Sequence, residues 1–258
     1  MEIDLFSIEQ FYVYLIILAR MAAVVAALPV FTASEASMRM RVGLAAAVSL
    51  LLFPVLDISV DPASLTPAIL GLIVLRETVL GLLLGFTIQL IFFAVQFGGT
   101  VVGYQMGFAA ANILDPQNQE QMPLLAQFQN VFAILVFLVL NAHHVVIRVM
   151  IRSYDILPPG NLDFSGRAVP FLMELTGQMF VLGVQLVAPV IAALIVSQFI
   201  LGIMSRVFSQ LQVFLLSFPI NISLALIIIG LSAEMIMLML EYEFFELQER
   251  LLRLLRML

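Results

Sequence analysis

Between Thr78 and Leu114 the chain carries no charged residue, and this run limits the folds open to it more than any other feature. As one helix it would measure roughly 55 Å. A second uncharged run, Leu175 to Ser205, would reach roughly 46 Å. The hydrocarbon core of a bilayer is about 30 Å thick, and tilt absorbs only part of such an excess. The runs must therefore break, or part of their length must be buried against protein. The rest of the chain is of the same kind: 63% of its residues are hydrophobic and only 11% are charged, with mean hydropathy +1.13. A soluble domain carries about 25% charged residues. The expected fold class is all-α and of the integral membrane type.

Composition also excludes. Without cysteine there are no disulfides and no thiolate metal sites. All 11 basic residues are arginine and the net charge is −6, which argues against a nucleic-acid partner, since that needs a basic stripe. The N-terminus, MEIDLFSIEQ, is acidic and lacks the basic region of a secretory signal, so the first hydrophobic run is expected to be retained.

Six hydrophobic runs are expected: Phe11–Phe31, Val42–Leu56, Ile69–Phe97, Leu124–Ile147, Val169–Met204 and Val213–Leu240. If the loops between them alternated sides, Arg39 and Arg41 would fall opposite the Arg148–Arg167 region, against the positive-inside bias. Charges also stand within or beside the runs, at Arg20, Arg76, Glu77, Glu174, Arg206 and Glu234. Each is costly in lipid and should face protein or water. These features together predict a helical subunit packed among other subunits.

Gly99, Gly103, Gly107 and Ala111 recur every four residues and would form one smooth helical ridge suited to a close helix–helix contact. For the shorter pair Gly81 and Gly85, the general frequency of glycine in membrane helices is explanation enough. The ridge runs into ANILDPQNQEQMP (111–123). Pro116 pushes Asp115 out of the helical region, and the amides with Pro123 keep the chain irregular. Non-helical backbone at membrane depth survives inside protein or along a watery cavity; an ordinary surface loop is the other reading.

Signals for chemistry are sparse. His143 and His144 are adjacent, so on a helix they diverge by about 100° and share a metal poorly; hydrogen bonding near a helix end is the plain reading, a proton relay the sharper one. No H-E-x-x-H, Walker, Rossmann or G-x-S-x-G pattern occurs. No enzyme, cofactor or metal site is expected. Glu174, Glu234 and Arg20 could form the relay of a small-solute or ion-coupled transporter. That fold would show inverted repeats with matched broken helices, and no convincing internal repeat is visible. Paired structural charges are the blander account of the glutamates. The tail EYEFFELQERLLRLLRML (241–258) sets Glu246, Glu249, Arg250, Arg253 and Arg256 on one side, with Phe244, Leu247, Leu251, Leu254 and Leu258 on the other. Such a helix could lie on a membrane surface or dock on a partner.

The pieces LARMAAVVAALPVF (18–31), RMRVGLAAAVSLLLFP (39–54), LRETVLGLLLGF (75–86), QFGGTVVGYQMGFAAANILDP (96–116) and MPLLAQF (122–128) resemble, in order and spacing, the FliR family of flagellar type III export-gate subunits. NAHHVVIRVMIRSYDILPPG (141–160), LVAPVIAALIVSQFILGIMSR (186–206) and SQLQVFLLSFPINI (209–222) continue the likeness over nearly the whole chain. No single motif among them is diagnostic. The chain departs from the family where Ser209-Gln210-Leu211-Gln212 replaces a common Pro-Gln-Leu-Asn, and where Asn221 stands in place of a frequent lysine.

The resemblance implies a non-enzymatic subunit that forms, with FliP and FliQ, a closed conical pore for unfolded flagellar substrates and helps nucleate the basal body. Several copies of FliP and FliQ would surround one copy of this subunit, with FlhB and FlhA nearby, in the bacterial inner membrane and largely above the bilayer plane. Residues 1–166 would be FliP-like, 167–240 a FliQ-like hairpin and 241–258 an amphipathic C-terminal helix. Residues 107–123 would form an irregular luminal plug, carried by Met106, Gly107, Phe108, Asn112, Asp115, Pro116, Gln119, Met122 and Pro123. Arg206, Gln210 and Phe214 would mark the hairpin turn.

Overall fold

A computed structural model describes residues 7–29, 37–56, 58, 66–107, 124–161, 166–207 and 213–258, with the side chains of residues 213–215 left out. Among the described residues there are seven α-helices and no strand: α1 (Ile8–Ala27), α2 (Met38–Leu52), α3 (Pro67–Gln105), α4 (Leu124–Val139), α5 (Ala142–Ile156), α6 (Ala168–Val207) and α7 (Val213–Met257). Polar caps set the first two starts. The Ser7 hydroxyl accepts from the Gln10 N–H while the Gln10 side chain accepts from the Ser7 N–H, a reciprocal capping box. Ser37 caps α2 in the simpler way.

The longest helices resolve the length problem posed by the sequence. The α3 helix ends at Gln105, so the uncharged run does break before Leu114. It starts upstream at Pro67, takes in Arg76 and Glu77, and continues for 39 residues, roughly 58 Å. Its excess is met by protein: 61% of its most apolar stretch is buried within the chain. The 40-residue α6 and 45-residue α7 likewise continue through Pro189 and Pro219.

Four helices, α1, α3, α6 and α7, are long and apolar enough to cross a membrane; α4 and α5, bent by 66° at their junction, make a fifth if counted as one broken span. Two of the six hydrophobic runs do not form single spanning helices. The run from Val42 yields only the 15-residue α2, roughly 22 Å and too short to cross. The run from Leu124 breaks at Asn141, whose φ of 55° ends one helical direction and begins another. Asparagine tolerates this left-handed conformation better than most residues.

The described residues form two compact units. The first lies within 1–90, 141–175 and 245–258, the second within 91–140 and 176–244. In the first, the Tyr14 hydroxyl on α1 meets the Ala46 carbonyl on α2 at 3.4 Å. The end of α7 also belongs here, and its apolar side is satisfied within the chain: Leu247, Leu251 and Leu254 are fully buried. Arg253 lies over the Phe171 ring at 5.9 Å. The amphipathic tail is thus the end of one continuous helix packed on its own chain, correcting the expectation that its apolar side would serve a membrane surface or a partner.

In the second unit Phe92, Phe137 and Phe244 form a triangle with ring centroids 5.3–5.7 Å apart, joining α3, α4 and α7. Phe97 meets Phe180 edge-on at 5.2 Å. Where α3 crosses α6 the backbones nearly touch. A Cβ on Gly98 would come within 2.6 Å of the Gly183 carbonyl oxygen, and one on Gly183 within 2.7 Å of the Ala94 carbonyl oxygen.

Candidate functional site

Two polar constellations interrupt the apolar interior. The first, in the first unit, is built around Arg20 on α1, which is wholly enclosed. Its three guanidinium nitrogens go to three elements. Nε donates to Glu77 Oε2 on α3 at 2.5 Å, Nη1 to the Ser153 hydroxyl on α5 at 2.8 Å, and Nη2 to the Leu157 carbonyl at 3.1 Å. The Tyr154 ring stands 3.9 Å from the guanidinium carbon, adding a cation–π contact. Glu77, 2% exposed, uses its other oxygen to accept from the Gly160 N–H at 3.2 Å. Arg76 donates to the Gly160 carbonyl at 2.5 Å.

Gly160 is thereby held from both sides, at a φ of 83° that glycine adopts without steric cost. A buried charge survives only when paired and hydrogen-bonded, and both partners here are. The node fixes α1, α3, α5 and the Pro158–Gly160 turn against one another.

The helices around the node meet through glycine. A Cβ on Gly81 would lie 2.5 Å from the Arg20 carbonyl oxygen and 2.7 Å from Ala23 Cβ, and one on Gly85 would collide with Ala27 Cβ. The plain reading of this pair as incidental membrane glycines is therefore corrected. The two residues are what lets α3 approach α1.

The second constellation, in the second unit, lies at the C-terminal end of α3, the root from which residues 108–123 continue. Helix α3 stops at Gln105, and Gly107 turns the chain at a φ of 96°. The Phe218 ring of α7 lies where a Gly107 side chain would stand. The Gln198 amide of α6 donates to the Gln105 carbonyl at 3.2 Å, so the last turn of α3 is tied to α6. The Ser197 hydroxyl donates to Asn221 Oδ1 at 2.8 Å, joining α6 to α7. Met106 is 1% exposed beneath this junction, and an open cavity of about 260 Å³ lies beside it. Gln105 Oε1 is buried there without a hydrogen-bond partner.

Of the plug residues named from sequence, Met106 and Gly107 stand at this root. Phe108, Asn112, Asp115, Pro116, Gln119, Met122 and Pro123 lie outside the described residues, as does Ala111 of the ridge. Along the ridge, a Cβ on Gly99 would fall 2.6 Å from Ala126 Cα and 2.7 Å from Gln129 Oε1, and Gly103 is buried. Gly107, however, falls beyond the end of the helix and leaves the ridge's register, because its left-handed φ cannot belong to α3. Arg206 is exposed in the last turn of α6, where positive charge suits the helix C-terminus. Gln210 and the Phe214 side chain lie outside the described residues.

His143 and His144 occupy the first turn of α5 with ring centroids 4.2 Å apart, closer than their divergence on an ideal helix suggests. No group of three or more potential metal ligands occurs among the described residues. Sequence reasoning missed Ser153, Tyr154, Gly160, Gln198 and Phe218. Their only advance signal was membership in the segments 141–160, 186–206 and 209–222 that carry the resemblance.

The chain matches the family described as bacterial export proteins, family 1, over residues 11–247. It is 31% identical over 217 residues to the flagellar biosynthetic protein FliR of Pectobacterium carotovorum subsp. carotovorum, covering 84% of this chain and 82% of that one. It is 30% identical to FliR of Bacillus subtilis (strain 168), covering 86% of each. The surface presentation of antigens protein SpaR of Shigella flexneri is 30% identical over 163 residues, 62% of each chain. The chain belongs to bacterial export proteins, family 1, the family of the flagellar biosynthetic protein FliR.

Proposed function

We propose that this chain is a non-enzymatic core subunit of the flagellar type III export gate. With FliP and FliQ it encloses the pore through which unfolded flagellar proteins leave the cell interior, and it helps nucleate the basal body. Several copies of FliP and FliQ surround one copy of it in the bacterial inner membrane, with FlhB and FlhA as further neighbours and much of the gate above the bilayer plane. Residues 1–166 play the FliP-like part. Residues 167–240 are the FliQ-like hairpin, and residues 241–258 end it as the amphipathic tail.

The observation that carries this reading is apolar surface left unmet by the chain itself. Only 33% of the most apolar stretch of α6 and 11% of that of α7 is buried. Helices roughly 60 Å or longer exceed what lipid alone can cover, so neighbouring subunits must cover the remainder. The expected result is that the native complex extracted in mild detergent has a mass many times 28.5 kDa and contains FliP and FliQ. A lone chain of 28.5 kDa in that extract overturns the proposal. A transporter relay through Arg20, Glu174 and Glu234 is not favoured. The Arg20 guanidinium is enclosed and committed to Glu77, Ser153 and Leu157, whereas both glutamates are exposed.

Residues 107–123 act in this reading as a plug. Glycine, alanine and amides, with Met106 and Met122 as adaptable apolar filling, make a seal that blocks ions yet yields to a passing polypeptide. Shortening 107–123 is expected to raise the ion conductance of the assembled complex in planar bilayers. Conductance equal to that of the intact complex would remove the plug role.

A further inference from the structure

Helix α7 has two unlike faces within the second unit. Ala225 and Leu240 are fully buried. On the other side Ile227 (60% exposed), Leu231 (80%), Glu234, Leu238 (60%) and Glu241 follow one another at alternating steps of four and three residues. Three apolar and two acidic side chains thus share one stripe at heptad spacing, along which a second helix can pack. Among the described residues nothing covers this stripe.

The two carboxylates decide what can. Both are exposed, and no ion pair is recorded for either among the described residues. Lipid tails would satisfy Ile227, Leu231 and Leu238 but offer nothing to Glu234, which interrupts a strongly apolar stretch. A second copy of α7 laid in register would set Glu234 against Glu234 and Glu241 against Glu241, a like-charge contact that specific interfaces exclude. The seam therefore calls for a different helix, apolar along its centre and basic at two points one heptad apart.

We propose that this face of α7 docks one helix of a different membrane protein, whose arginine or lysine side chains stand opposite Glu234 and Glu241. The inference rests on the assembly reading above, and the test separates the two. In cells carrying the complete export apparatus, a photo-crosslinking amino acid replaces Leu238 in the full-length chain. In a parallel strain it replaces Ile200, exposed on α6, to report assembly of any kind.

The expected result is a Leu238 adduct to one other protein whose cross-linked peptide, identified by mass spectrometry, carries Arg or Lys within a helical turn. Combining Glu234→Arg with Glu241→Arg should lower its yield at least tenfold. Reversing the partner's basic residues to glutamate should restore it, which excludes misfolding as the cause of the loss. Adducts to a second copy, to lipid alone, or to a protein whose capture ignores the charge reversal all overturn the proposal. Loss of the Leu238 adduct with the Ile200 adduct retained overturns this face alone; loss of both overturns the assembly reading along with it.

Discussion

Glu77→Ala is expected to destabilise the first unit by about 3–5 kcal/mol, the range seen when one member of a buried ion pair is removed. Arg20 is 0% exposed and cannot carry its charge to water, so the variant leaves an enclosed cation without its counter-charge. The Gly160 N–H loses its acceptor in the same step. Arg20→Lys should also be damaging, because three different nitrogens of the planar guanidinium reach three different acceptors and a single ammonium cannot reproduce that fork. Replacing both charges, Arg20→Met with Glu77→Met, should recover part of the loss, since apolar residues can substitute for a buried pair at little net cost. Recovery should be incomplete, as the Leu157 carbonyl and the Gly160 N–H are left unpaired, at about 1–3 kcal/mol for a buried orphan. Thermal loss of helical circular dichroism in detergent checks the series. A Glu77→Ala midpoint equal to that of the parent chain would mean that the pair does not hold these helices together.

The same node shows what could and could not be read in the sequence. That Arg20 and Glu77 must be shielded followed from their place among apolar residues. That they shield each other did not, for 57 positions separate them and periodicity carries no information at that range. Arg76 and Glu77 are neighbours in sequence, but adjacent helical residues do not face one another, and they bind different atoms of the Pro158–Gly160 turn and of α1.

The buried side of the tail was legible because Leu247, Leu251 and Leu254 keep helical spacing, and spacing is local. What they pack on was not, since that depends on how distant segments return. Glycines were the hardest to read. Gly81 and Gly85 touch α1, while Gly43 and Gly71 have nothing within 4 Å, yet sequence alone does not tell the two kinds apart. Attention to the four-residue ridge also passed over Gly98, one position off it, where a Cβ would meet the Gly183 carbonyl oxygen of α6 at 2.6 Å.

Gly183→Val and Gly98→Val are each expected to cost about 1–3 kcal/mol, the usual penalty for forcing extra atoms into a filled interior. The upper end applies here because the nearest obstacle in each case is a backbone carbonyl oxygen. The new Cβ on Gly183 would stand 2.7 Å from the Ala94 carbonyl oxygen and 2.8 Å from Phe97 Cδ1; that on Gly98 would stand 2.6 Å from the Gly183 carbonyl oxygen. A side chain can rotate away, but a helical carbonyl moves only with its helix, so the α3–α6 crossing must open. Opening it also loosens the edge contact of Phe97 with Phe180. The two substitutions strain one crossing, so the double variant should lose less than the sum of the singles.

Gly202→Ala on the same helix should do the reverse. Nothing lies within 4 Å of its Cβ position, and alanine gains about 0.5–1 kcal/mol over glycine in a helix interior. Melting the isolated chain in detergent tests the contrast free of any partner covering Gly202. If Gly183→Val melts no lower than Gly202→Ala, α3 and α6 do not meet backbone to backbone, and the second unit is held together by its phenylalanines instead.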